Sequence, residues 1–321
     1  MGVTRRVLGL LGRLVPPARA LRPLAWATLV ANVVVVVTGG AVRLTASGLG
    51  CPTWPRCTEE SFRPHGELDV HQAIEFGNRT LFFVLAVIAL ATFGAAWRSG
   101  RRDLVWMSLV IGLVIPAQAV IGGITVLTDL NPWVVSLHLL CSLAIVGVAV
   151  RLVLSLAAPL PPPRRGPLAA LAWATFAAAC AVLYVGTVVT GSGPHAGDAR
   201  TERNGLSPLQ MSQLHADLVF LFVGLTLGLL FTALALGDRG AARAVAVLLA
   251  VEVAQGAIGF VQYFTDLPVV LVGLHVLGAA VITACVTWVL LRVRRPSPAG
   301  LGTDSGTEAA HRDPARAPHL I

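Results

Sequence analysis

Apolar positions gather into eight runs, at about 24–44, 72–97, 104–127, 133–157, 167–191, 208–236, 241–264 and 268–292, separated by short polar stretches. Runs of about 20 residues are what an α-helix needs to cross a hydrocarbon core of about 30 Å. They are continuous rather than alternating, so bundled helices are predicted and the strands of a membrane barrel are not. The pattern therefore predicts an all-α integral membrane protein with eight transmembrane helices. The first run follows a basic arm and leads into polar chemistry rather than a small-residue cleavage site, so no cleavable signal is expected.

One phrase in this pattern occurs twice. TDLNPWVVSLHLL (Thr128 to Leu140) and TDLPVVLVGLHVL (Thr265 to Leu277) each lead from a polar turn into an apolar run that carries a histidine. From Ala117 to Leu140, a constant offset of 137 pairs Gln118 with Gln255, Ile121 with Ile258, Gly122 with Gly259, Thr128 with Thr265, Asp129 with Asp266 and His138 with His275. An offset of 152 aligns VVVVTGG (Val34 to Gly40) with GTVVTGS (Gly186 to Ser192), so the first outer loop carries about 15 extra residues. This is an internal duplication of four helices. Four crossings return the chain to its starting side, so tandem four-helix bundles related by a pseudo-two-fold along the membrane normal are expected. The expected organisation is a basic arm (1–23), an N-terminal half (24–157), a linker (158–166), a C-terminal half (167–292) and a tail (293–321). Its Gly, Pro and Ser content predicts that the tail is disordered, with His311 and His319 playing no part.

Composition agrees, and charge adds direction. Of 321 residues, 55% are hydrophobic and 12% charged, with mean hydropathy +0.77, against about a quarter charged in soluble domains. A net charge of +8 and a pI near 10.5 raise nucleic acid as a partner, but every basic residue is arginine and the arginines cluster at helix ends. The clusters are Arg5, Arg6, Arg13, Arg19 and Arg22; Arg98, Arg101 and Arg102; Arg164 and Arg165; Arg239 and Arg243; and Arg292, Arg294 and Arg295. With eight crossings they share one side, which the positive-inside rule makes cytoplasmic. A multi-pass protein of the cell membrane is expected, with both termini cytoplasmic, its arginines against anionic lipid, and no nucleic-acid partner.

Four polar side chains share one depth. The second, fourth, sixth and eighth helices run inward from the outer side, and Asn78, His138, His215 and His275 lie six or seven residues along them, roughly 10 Å deep. Polar groups there are costly unless they face the bundle interior, which makes them functional candidates. A lone buried histidine is more often a hydrogen-bonded structural residue. Two on facing helices, His215 and His275, can take both axial positions of a haem iron. Zinc would want further ligands that this half does not bring.

The N-terminal half departs from this symmetry. HQAIEFGNRTLFF sets His71, Glu75 and Asn78 on one helix face at spacings of four and three, followed by Arg79, and Asn78 stands where the other half has His215. Asparagine is a poor iron ligand, so this half reads as a site whose iron position is weakly held or open. Glu75 is either an acid for chemistry or an interfacial carboxylate paired with Arg79 or Arg43. Both arginines are candidate partners for haem propionates. His71 is either a further reach to the iron or a headgroup-level histidine. In TGGAVRLTASGLGCPTWPRC, Cys51 and Cys57 lie on the outer side, where disulfides persist, and a structural staple and a redox-active dithiol both stay open. Cys141, Cys180 and Cys285 fall inside helices and read as small apolar side chains.

Along nearly all of residues 24–292 the chain resembles the haem A synthase family. TGGAVRLTASGLGCPTWPRC is similar to that family's first-helix and outer-loop signature, and Glu75 with Asn78 and Arg79, then His138, His215 and His275, fall where the family places haem-associated residues. The resemblance implies an enzyme that oxidises the C8 methyl of haem O to the formyl of haem A for terminal oxidases. It implies haem b on His215 and His275, the substrate haem near His138, a functional acid at Glu75 and an outer cysteine pair at Cys51 and Cys57. The partners implied are haem O, the synthase that makes it and an electron acceptor or donor, with room for a homo-oligomer. The chain departs from the family at Asn78, commonly histidine, and in GSGPHAGDARTERNG, which lacks the second cysteine pair of some members. Two other classes remain: a non-catalytic dihaem electron carrier, and a small-molecule transporter, which the duplication favours and the histidine pairing does not.

Overall fold

The computed structural model describes residues 15–64, 69–163 and 165–294. Most of the basic arm, Arg164 and the tail from residue 295, with His311 and His319, lie outside the described residues. Among the described residues there are eight α-helices: α1 (Leu21–Leu44), α2 (Val70–Ser99), α3 (Arg102–Leu127), α4 (Pro132–Ser155), α5 (Pro167–Ser192), α6 (Pro208–Ala235), α7 (Arg239–Phe264) and α8 (Val269–Arg292). All eight are long and apolar enough to span a membrane. The first starts inside the expected arm and is preceded by a 3-10 turn at Ala18–Ala20.

Sequence-local signals set most boundaries. Asn131 and Ser207 cap α4 and α6 by accepting from Trp133 N and Gln210 N, each followed by proline at the first helical position. Asp238 caps α7 through Ala241 N. The repeated TDL is a tight turn built the same way twice. Asp129 and Leu130 have φ of 51° and 60°, and Asp266 and Leu267 have 58° and 57°. The turn is locked by Leu130 N donating to Thr125 O (2.7 Å) and Leu267 N to Gln262 O (2.8 Å). Two successive non-glycine residues in the left-handed region are costly, so both copies of this turn are held by their surroundings.

Packing partners follow the halves. Helix α1 contacts α2 and α4, α2 contacts α3, and α3 contacts α4; α5 contacts α6 and α8, α6 contacts α7, and α7 contacts α8. Across the seam, α1 and α4 meet α8, and α4 meets α5. Each half has its own buried cluster, around Leu104, Ile111 and Leu152 in one and Phe222, Leu229 and Leu248 in the other. The seam cluster is smaller, Val36, Leu143 and Ala280. Lipid offers no hydrophobic drive between helices, so close approach carries the packing. At Gly40 of α1 a Cβ would lie 3.1 Å from Val276 of α8.

Candidate functional site

The four polar positions recur within nine residues of the starts of α2, α4, α6 and α8, all at the end of the bundle that bears the 45–69 loop. In the C-terminal half, the rings of His215 and His275 face each other with centroids 6.4 Å apart and planes at 72°. Two imidazole nitrogens each about 2 Å from one iron, with about 1 Å more to each ring centre, set the centres about 6 Å apart. The pair therefore fits axial ligation of a haem iron. The Nδ1 atoms of His138, His215 and His275 are buried and accept or donate no hydrogen bond among the described residues.

Each histidine rests on a glycine of the preceding helix. A Cβ at Gly186 would stand 3.1 Å from His215 Cε1, at Gly259 3.5 Å from His275 Cε1, and at Gly122 3.3 Å from His138 Cε1. The fourth position breaks the rule on both sides at once. Asn78 stands for histidine, and Val34 stands where Gly186 does in the other half. The Oδ1 of Asn78 is buried and has no hydrogen-bond partner among the described residues. Gln118 on α3 donates to the His138 carbonyl (3.0 Å) and to Ser142 Oγ (2.5 Å), fixing α4 at this level.

Glu75 is buried and both of its oxygens are engaged. Oε2 accepts from the Cys51 amide (2.5 Å), and Oε1 accepts from Arg79 Nε (3.1 Å) and Nη2 (2.5 Å). Arg79 also donates to the carbonyls of Cys51 (2.8 Å), Thr53 (3.0 Å) and Arg56 (3.1 Å). The pair thus grips the backbone of the 51–57 loop, whose cysteines form a fully buried disulfide. Arg43 donates to Thr190 O, one of the last carbonyls of α5, which lack helical partners, and to His195 O in the loop beyond it, both at 2.5 Å. Both arginines are therefore committed to loop and helix-end carbonyls. His71 Nδ1 lies 3.0 Å from Ser47 Oγ. In the loop beyond α5, burial first, then the guanidinium groups of Arg43 and Arg203, lower the pKa of His195.

Sequence reasoning missed three features. The glycine seats were visible only as repeat markers, since nothing in a linear pattern says that Gly122 meets His138. Trp54 packs against Gly123, whose missing Cβ leaves room for the indole; its partner at offset 137 is Phe260. Glu252 is 3% exposed at the middle of α7, with Oε1 accepting from Thr226 Oγ1 (2.7 Å) and Oε2 without a partner among the described residues. A carboxyl inside an apolar span was a legible signal. Among the described residues no group of three or more His, Cys, Asp or Glu side chains converges as a metal cage.

The family model described as Cytochrome oxidase assembly protein (COX15-CtaA) matches residues 22–200. The chain is similar to a protein named Heme A synthase from Geobacillus thermodenitrificans, 33% identical over 106 residues, covering 32% of each chain. It is similar to one of the same name from Geobacillus kaustophilus (strain HTA426), 31% identical over 107 residues and 33% of each chain. A third, from Lysinibacillus sphaericus (strain C3-41), is 30% identical over 122 residues, 36% of this chain and 39% of that one. The matched stretch spans about a third of the length of these relatives.

Proposed function

The chain belongs to the COX15-CtaA family of cytochrome oxidase assembly proteins, and on that premise we propose that it is a haem A synthase, oxidising the C8 methyl of haem O to a formyl group. The observation that carries the reading is the contrast between halves: facing imidazoles 6.4 Å apart in one, and His138 with Asn78 in the other. A doubly ligated haem b on His215 and His275 suits electron transfer. A substrate haem held by His138, with Asn78 at the corresponding second position, suits chemistry at the porphyrin. Bound haem iron supplies the oxidation of an unactivated methyl, which no side chain can perform.

The chain's own residues hold and orient. His138, seated on Gly122 and fixed through its carbonyl by Gln118, presents an imidazole to the substrate. Glu75 lies one turn from Asn78, and its negative charge, pinned by Arg79 and the Cys51 amide, is the functional acid of this half. The arginine ends are cytoplasmic and the haem sites lie toward the outer side of the cell membrane, in tandem halves related by a pseudo-two-fold. Haem O, its synthase and an electron partner complete the assignment.

The test is pigment extraction from cells that contain a haem O source and express the chain. Formyl haem should appear only with the chain present. A b-type spectrum without formyl haem would instead make it a dihaem electron carrier.

A further inference from the structure

The loop insertion that distinguishes the halves brings a tryptophan to α3. Cys51 and Cys57 close a seven-residue ring with Trp54 at its centre. The ion pair of Glu75 and Arg79 holds the backbone on both sides of that residue, at Cys51 and Thr53 before it and Arg56 after it. The held indole lies on Gly123 so closely that any Cβ there would overlap its Cγ, Cδ2 and Cε2. The neighbouring Gly122 is the seat of the His138 ring. Consecutive residues of α3 therefore receive the loop's tryptophan and the histidine of the N-terminal site. In the other half neither the insertion nor the slot exists, because Phe260 stands at the position of Gly123 and is 55% exposed.

We propose that Trp54 is a positioning residue of the N-terminal site: its indole locks the disulfide loop onto α3 beside His138, with Glu75 and Arg79 setting the loop's register. The lock rests on contacts described above, while its bearing on the substrate haem rests on the reading of His138 as that haem's ligand. It makes two consequences inseparable. The loop keeps the disulfide out of water, both cysteines being 0% exposed. The same contact fixes the stretch of α3 that supports the histidine, so loosening the loop loosens the ligand.

The experiment uses the full chain in membranes, with Trp54→Ala, Gly123→Ala and Trp54→Phe. The disulfide is challenged with a water-soluble phosphine, the freed thiols are tagged with a maleimide, and the haem spectrum is recorded on the same samples. Trp54→Ala and Gly123→Ala should each speed reduction by about tenfold or more, as local opening becomes easier. They should also shift the spectrum of the N-terminal haem while the signal from His215 and His275 stays as in the wild type. Trp54→Phe should recover most of the protection. Wild-type reduction kinetics in both disruptive variants would overturn the lock. Faster reduction with an unchanged N-terminal haem spectrum would overturn the positioning role. If Gly123→Ala does not accumulate, Trp54→Ala, which removes volume instead of adding it, decides alone. If the wild-type chain binds no haem in its N-terminal half, the functional reading fails while the reduction kinetics still judge the lock.

Discussion

The two halves share one plan and spend their buried polar groups differently. In the C-terminal half both inner histidines are kept, each seated on a glycine, and a carboxyl, Glu252, is buried at mid-membrane with Thr226. In the N-terminal half the equivalents of Glu252 and Thr226 are Ile115 and Ala89, both buried among apolar neighbours. Its acid, Glu75, sits instead at the loop end and holds an inserted loop, where the other half has Ser212. Asn78 and Val34 stand where the other half has His215 and Gly186. A duplicated scaffold tolerates such divergence because each four-helix half closes its own ring of contacts.

The sharpest break in this comparison is removal of the histidine pair. His215→Ala or His275→Ala should abolish the low-spin b-type signal while leaving the fold and the N-terminal site, as read by the haem spectrum and haem content of purified protein. An unchanged spectrum in either variant would remove the C-terminal assignment.

Next comes the acid present in one half. Glu75→Gln preserves shape and removes charge, and should lower haem O conversion by about 100-fold, the scale of a positioned acid or fixed charge. Ser212→Ala should leave conversion near wild type. Full yields of haem A from Glu75→Gln would reduce the carboxylate to a loop anchor.

A subtler test asks whether Asn78 and Val34 belong together. Asn78→His alone restores the ring but leaves Val34, 46% exposed, at the position where the other half has Gly186. Asn78→His with Val34→Gly should restore a seat like that of His215 and turn the N-terminal haem low-spin, with conversion retained or slowed. Equal spectra from the single and double variants would mean that Val34 does not face this position.

The smallest effect concerns stability. Glu252→Ile combined with Thr226→Ala copies the N-terminal half and removes a buried oxygen without a partner among the described residues. It should stabilise the protein by about 1–3 kcal/mol, read as a higher thermal midpoint in detergent. A lower midpoint would show that the pair is required by the fold.

Much of this architecture was legible along the chain. Helix limits fall within about three residues of the apolar runs, because a membrane span must be long, apolar and bounded by caps, prolines and arginines that are themselves local. The duplication, the shared depth of the four polar residues and the departure at Asn78 also needed only the order of residues. Partners did not. The carbonyls that Arg43 and Arg79 meet were not legible beside their reading as candidate propionate partners, since the nearest unsatisfied acceptors depend on which segments fold together.

Sequence by itself therefore determined the membrane class, the eight spans, the repeat and the candidate chemistry, since each follows from periodicity, length or composition within a single segment. Tertiary structure alone decided the 6.4 Å spacing of the His215 and His275 rings, that glycines on neighbouring helices seat the imidazoles, and that Glu75 grips a disulfide loop whose tryptophan lies on Gly123. Those contacts join residues far apart in the chain, and only packing chooses which surfaces come within reach.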